Sequence, residues 1–172
     1  MLFFDEAFFR RETTITRSWY LKGSAPTVDS DPTYDKVGVY GAVNPITGQM
    51  HSLMFEAFNS KVFKLYLEWL ITERKEKNKI VLVLDRASPH RAKIIREYVN
   101  ENNDKIELFY LPAYSPDLNP IEMVWKDLRR CKTHNRYFSS WEELDTEVTS
   151  YLKEQSVPND KLASLCRFNY VV

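Results

Sequence analysis

The sequence predicts an α/β fold, with a mixed central sheet and helices on both of its faces. Three observations carry that expectation. Residues 80–84, IVLVL, form a short, wholly apolar run with helical periodicity on either side, as expected of a strand covered on both faces. A hairpin pattern precedes it, VGVYGAV at 37–43 followed by the turn Asn44-Pro45-Ile46-Thr47-Gly48. Strand-like and helix-like stretches then alternate along the rest of the chain.

Taken in order, residues 1–9 are dominated by phenylalanine and read as a buried strand. The stretch 10–35 is mixed, with strand character near Thr13–Leu21 and a loop from Gly23 to Pro32. Residues 37–43 and 50–58 form the hairpin. A helix over 60–77 places Phe63, Tyr66, Leu67 and Leu70 on one face, capped by Asn59 or Ser60. After the 80–84 strand comes a helix over 91–102, with Ile94, Ile95, Tyr98 and Val99 as its apolar stripe, and then a strand at 106–110. A proline-containing loop, 111–119, leads into a helix over 120–132. The last clear helix starts at Ser140, which with Glu143 makes a capping-box pattern; Trp141, Leu144, Val148 and Tyr151 form its stripe.

A length of 172 residues suits one domain, 1–172. The chain carries 24 basic and 24 acidic residues, so any contact with nucleic acid must rest on local patches rather than on net charge. No apolar run is long enough for a membrane span, and a cytoplasmic protein is expected, nucleoid-associated when bound to DNA. Two cysteines argue against a disulfide framework. Cys131 and His134 have C-x-x-H spacing, but a zinc site needs a second half, and none is apparent.

Three carboxylates occupy unusual positions. Asp5 lies within an otherwise apolar strand, Asp85 directly follows IVLVL, and Glu122 sits in the first turn of a helix. The carboxyl end of a sheet strand is the usual place for a ligand in α/β folds. Each acid also has a structural explanation. Asp85 fits a turn or cap leading into Ser88-Pro89-His90. Glu122 fits a capping box after Pro120. Asp5 could pair with Arg10 or Arg11. If the three converge, their mutual repulsion is best relieved by divalent cations, a common device for phosphodiester chemistry.

The segments Asp5-Glu6, LVLDRASPH (82–90) and LPAYSPDLNPIEMVWKDLRR (111–130) resemble the mariner-like superfamily of DDE transposases, especially its prokaryotic insertion-sequence branch. GAVNPITG (41–48) and Trp19–Gly23 extend the likeness over essentially the whole chain. The resemblance implies a ribonuclease-H-like fold. It also implies Asp5, Asp85 and Glu122 as a catalytic triad holding two Mg2+ or Mn2+ ions. The activity implied is cleavage of transposon ends, followed by strand transfer into target DNA. Supporting roles fall to His90, which could touch a phosphate or a metal-bound water or simply pack, and to Asn119 as the cap of the helix bearing Glu122. Trp125 reads as core. Glu6, by strand alternation, points away from Asp5 and is not a primary ligand. Arg86 stands where this branch usually has Asn, and could contact phosphate or perturb metal binding.

Arg10, Arg11, Lys126, Arg129, Arg130, Lys132 and Arg136 could line a DNA path, or form a solvated face. The expected partners are transposon-end and target DNA, and a second copy of the chain in a working homodimer. With the first acid at residue 5, no room is left for the family's N-terminal helix-turn-helix region. A separately encoded DNA-binding portion, a degraded element or a trimmed chain would account for that. A non-catalytic remnant that binds DNA or dimerises is the competing reading.

Overall fold

The structure, a computed structural model, describes residues 1–24, 26–74, 78–113 and 115–167. Its strands are β1 (Leu2–Arg10), β2 (Lys36–Val43), β3 (Met50–Phe55), β4 (Ile80–Leu84) and β5 (Ile106–Tyr110). They form one sheet in the order β3-β2-β1-β4-β5. The pairs β1–β2 and β2–β3 are antiparallel, whereas β1–β4 and β4–β5 are parallel. The helices are α1 (Ser60–Glu73), α2 (Lys93–Glu101), α3 (Ile121–Leu128), α4 (Trp141–Glu154) and α5 (Asp160–Leu165). This is the expected mixed sheet, and it is ribonuclease-H-like.

β1 is the central strand, and its alternation divides the core in two. Leu2 and Phe4 face a cluster with Phe63, Tyr66, Leu67 and Leu70 of α1 and Ile95 of α2. Phe3, Ala7 and Phe9 face the opposite cluster, with Val124 and Trp125 of α3, Leu144 and Val148 of α4 and Leu162 of α5. Each large side chain buried completely there stabilises the fold by ~1.5–3 kcal/mol. A polar residue on this strand therefore stands between two apolar layers, and Asp5 and Glu6 leave on opposite faces.

The elements depart from the sequence pattern in instructive places. Asn59 caps α1, its side chain accepting from the Lys61 and Val62 amides, but the helix ends at Glu73; the predicted continuation through 75–77 lies outside the described residues. The helix expected over 91–102 begins only at Lys93, because Ala92, with ψ 151°, breaks the helical path between a 3₁₀ turn at Ser88–Arg91 and α2. Ile94 and Trp141, counted into apolar stripes, are partly exposed at those helix starts. The helix after the proline loop narrows to α3 and passes into a π-helical turn, Arg129–Thr133. No strand forms over Thr13–Leu21. Among the described residues its one ladder contact is an isolated bridge from Thr14 to His134, and Trp19 is 99% exposed. The tail after Pro158 forms α5, capped by Asn159.

Candidate active site

The parallel register fixes the relation of the first two acids. Phe3 pairs with Val83, and two residues further along come Asp5, within β1, and Asp85, just past the end of β4. Glu122 approaches from α3. All three line one cleft of about 620 Å³, together with Arg86, Arg91, Pro112, Ser115 and Asn119. Among the described residues, no three His, Cys, Asp or Glu side chains are gathered closely enough to hold a metal on their own.

Asp5 is the most perturbed of the acids. Burial, followed by the nearby charges of Glu6 and Glu122, pushes its carboxyl up to about 7. Two donors oppose that shift, the backbone at Glu6 and the indole of Trp125, whose Nε1 lies 3.2 Å from Asp5 Oδ2. Trp125 is core, as its sequence position suggested, and also reaches the site. Gly41 makes this possible. It pairs directly with Asp5 across β1–β2, and a Cβ there would stand 2.6 Å from the Trp125 ring and 2.5 Å from Met50 Cε. The anticipated Asp5 pairing with Arg11 does not form, because Arg11 is taken up by Asp31 and Asp35.

Asp85 is more open. The His90 hydrogen bond holds its carboxyl below the ordinary value, against the opposing effect of partial burial. Its Oδ1 accepts from the Ala87 amide at 3.0 Å and meets His90 Nδ1 at 2.7 Å. Asp85 thus organises the turn, the structural role offered for it, and it also lines the cleft. His90 is 1% exposed, packed against the rings of Phe4 and Phe63. Its Nε2 stands 3.2 Å from Glu6 Oε2. Burial alone would lower this imidazole; Asp85 and Glu6 outweigh it and raise it to about 9. Both ring nitrogens face carboxylates, which leaves neither directed at a phosphate.

Asn119 does not cap α3 with its side chain. Pro120 occupies the cap position, and the Asn119 Nδ2 instead donates to the Phe4 carbonyl at 2.9 Å. The segment Pro116–Leu118 forms a 3₁₀ turn just before it, and the Asn119 side chain lies against β1. The helix bearing Glu122 is thereby tied to the residue next to Asp5. Arg86 donates from Nε to the Leu111 carbonyl at 3.2 Å, so it braces the far wall of the cleft.

Most of the predicted basic path is already neutralised. Lys132 and Arg136 both pair with Glu147, Arg130 pairs with the buried Asp127, and the Arg129 guanidinium lies over the Phe9 ring. Asp127 also accepts from Lys161 and Tyr151. No ion pair is found for Arg10 or Lys126 among the described residues. Lys126 borders a second hollow that shares Pro116, Asn119 and Glu122 with the cleft. The sequence reading missed the Glu6–His90 contact, although a buried His five residues after a strand-end acid was its available signal.

Similarity to known proteins identifies the family. Residues 1–145 match the family described as DDE superfamily endonuclease. An uncharacterized 39 kDa protein of insertion element IS630 from Shigella sonnei is 26% identical over 152 residues, which is 88% of this chain and 44% of that protein. The uncharacterized protein y4pE/y4sA of Sinorhizobium fredii is 29% identical over 108 residues, 63% of this chain and 76% of that one. Among solved structures, the mariner Mos1 paired-end complex with Mg has a TM-score of 0.70 at 18% identity, covering 96% of this chain and 52% of that chain. The catalytic domain of Mos1 mariner transposase has a TM-score of 0.59 at 15% identity, covering 96% and 78%. The chain thus spans less than half of the IS630 protein and about half of the Mos1 chain. With the matched residues covering most of its length, the chain belongs to the DDE superfamily of endonucleases.

Proposed function

We propose that this chain is the catalytic core of a transposase, which cleaves transposon-end DNA and joins the freed strand to target DNA. Asp5, Asp85 and Glu122 act as the metal-holding triad. The observation that carries the reading is the convergence of three acids, from a central strand, a strand end and a helix start, on one cleft. Two divalent cations, Mg2+ or Mn2+, would supply Lewis-acid charge to the attacking and leaving oxygens of an in-line displacement at phosphorus.

The donor set fits that role. A buried carboxyl raised by its neighbours has most to gain from a nearby cation. Magnesium sites commonly use one or two carboxylates, with water and substrate phosphates completing the shell, so a tight all-protein cage is not required. In the first step water attacks the phosphodiester and a 3′-hydroxyl leaves. In the second that hydroxyl attacks target DNA and displaces a target 3′-oxygen. The chain's own groups orient the carboxylates and the helix that bears Glu122. Trp125 and the β1 backbone hold Asp5, His90 and the Ala87 amide hold Asp85, and Asn119 keeps α3 against β1. Arg86 and Arg91, both lining the cleft, supply positive charge for the DNA backbone.

The expected substrates are transposon-end and target DNA, with a homodimer as the working assembly. The similarity to complexes described as paired-end and strand-transfer complexes supports this. Calorimetric Mn2+ titration, with Asp85→Ala as control, tests the metal site; the wild type should bind and the variant should not. A strand-transfer assay on end-containing duplex tests the chemistry. Failure of the wild-type protein to bind any divalent ion would overturn the reading.

A further inference from the structure

Glu6 and Asp5 are adjacent on β1 and leave the sheet on opposite faces; Asp5 lines the cleft, and Glu6 is linked to it through His90 and Asp85. After Asp85 the chain makes the 3₁₀ turn Ser88–Arg91, which packs onto the α1 face where Glu6 points. His90 on that turn stands between the two carboxylates, 2.7 Å from Asp85 Oδ1 and 3.2 Å from Glu6 Oε2. The second contact is within ion-pair range but off hydrogen-bond geometry. Neither His90 Nε2 nor Glu6 Oε2 has another hydrogen-bond partner among the described residues.

The ring is otherwise immobilised. Phe4 and Phe63 pack against it, and the His90 carbonyl accepts from the Tyr110 hydroxyl at 2.9 Å. Asp85, by contrast, has a side chain that is 56% exposed, and untethered it would sample several rotamers. Its Oδ1 is committed inward, to His90 and the Ala87 amide, which leaves Oδ2 for the cleft. What remains adjustable is the ring's orientation about its own axis, and Glu6 is the side chain that faces its far nitrogen.

We infer that Glu6 is a positioning residue for the proposed metal site: through the His90 ring it fixes the Asp85 carboxylate, so that one oxygen is turned to the turn and the other to the cleft. The inference rests on the proposed metal-dependent reading of Asp85. One strand then sets two acids, Asp5 directly from one face and Asp85 through His90 from the other. Groups that orient a ligand's partner commonly alter metal affinity ~10–100-fold when removed.

The test is Mn2+ titration by calorimetry on the whole chain for wild type, Glu6→Ala, Glu6→Gln and Asp85→Ala, with metal-free thermal unfolding as a folding control. Glu6→Ala is expected to weaken Mn2+ binding at least ~10-fold. Glu6→Gln keeps the shape and a carbonyl acceptor, and should restore binding to within about threefold of wild type (well below the loss expected on removing such a group). Nitrogen-15 spectra of the His90 ring should show one environment in wild type and Glu6→Gln, and a changed or broadened one in Glu6→Ala. If Glu6→Ala does not fold, Glu6→Thr, which suits a strand but lacks the reach, carries the same expectation. Wild-type affinity in the folded Ala or Thr variant, with binding abolished in Asp85→Ala, overturns the role of Glu6 alone. A loss in Glu6→Gln as large as in Glu6→Ala overturns positioning as the cause. Unchanged binding in Asp85→Ala overturns the metal-site reading beneath it.

Discussion

The indole of Trp125 and the carboxylate of Asp5 are joined by a 3.2 Å hydrogen bond that crosses from α3 to the central strand. It is one of two donors working against the burial of Asp5. Trp125→Phe removes that donor while keeping an aromatic ring in the core. The Asp5 carboxyl should then titrate higher than in the wild type, as read by carbon-13 NMR of labelled aspartate. Stability should fall by ~1–3 kcal/mol, from the lost bond and the imperfectly filled space. An unchanged Asp5 titration would show that the bond has no electrostatic role.

Gly41 is predicted to be intolerant of even one methyl group. In Gly41→Ala the new Cβ meets both Met50 and the Trp125 ring, so the indole must shift away from Asp5. Overpacking of this kind costs ~1–3 kcal/mol. Denaturant unfolding should report that loss, and the tryptophan emission should change in the folded state. A variant as stable as wild type, with unaltered emission, would mean that the helix yields without strain.

Asp5 should make the metal-free protein pH-sensitive. Its folded-state value of about 7 lies above the ordinary 3.8, so folding favours the protonated form. The associated stabilisation is complete below about pH 4 and is lost as pH rises towards 7. Above that, the ionised group opposes the fold by a few kcal/mol at most, on the order set by ~1.4 kcal/mol per pKa unit. In chelator at pH 8, Asp5→Asn should therefore melt higher than wild type, and the gap should narrow as the pH falls. Added Mn2+ should raise the wild-type melting temperature and leave that of Asp5→Asn nearly unmoved. A lower melting point for Asp5→Asn in chelator at pH 8 would contradict this account.

Asp127 has the opposite sign. Its burial would raise the carboxyl, but Lys161, Arg130 and Tyr151 hold it below the ordinary carboxylate value. That stabilisation is present above about pH 4 and is lost as pH falls through the lowered folded value. Asp127→Ala should destabilise by ~1–3 kcal/mol at pH 7, since Tyr151 stays buried without its acceptor while the two exposed cations regain water. The difference from wild type in urea unfolding should shrink in acid. A constant difference down to pH 3 would assign the loss to packing alone.

Glu147 sequesters Lys132 and Arg136. Glu147→Gln should release Lys132, leave Arg136 only its 4.0 Å contact with Glu143, raise non-specific affinity for duplex DNA and steepen its salt dependence. Lys126→Ala should shallow that slope by ~1. Fluorescence anisotropy between low and moderate salt checks both expectations. Equal slopes in all three proteins would place the DNA path elsewhere.

The sheet and the acids were legible because they leave local marks. An apolar run ending in Asp85, and a phenylalanine-rich strand interrupted by Asp5, are visible without knowing what packs on them. The remainder depends on contacts between distant segments. Glu6 was set aside by strand alternation, a correct rule that could not show the chain after Asp85 folding back onto the other face. Asn119 looked like a cap because the sequence shows spacing and not the 3₁₀ turn that swings the side chain to Phe4. The basic residues after Glu122 read as a path because their acidic partners, Asp127 apart, lie on α4.

The helix α5 joins two distant parts of the fold. The Asn159 amide donates to the Thr47 carbonyl in the β2–β3 turn, and Gly48 there has no room for a side chain against the Asn159 carbonyl. At the other end of α5, the Cys166 thiol meets the Pro120 carbonyl at the entrance to the helix that carries Glu122. The family match ends at residue 145, within α4. A chain trimmed to that boundary would lose Val148, Tyr151 and Leu162 from the core, together with the strut that spans the hairpin and the helix bearing Glu122. A minimal fragment built on the shared segment alone would lack its own keel.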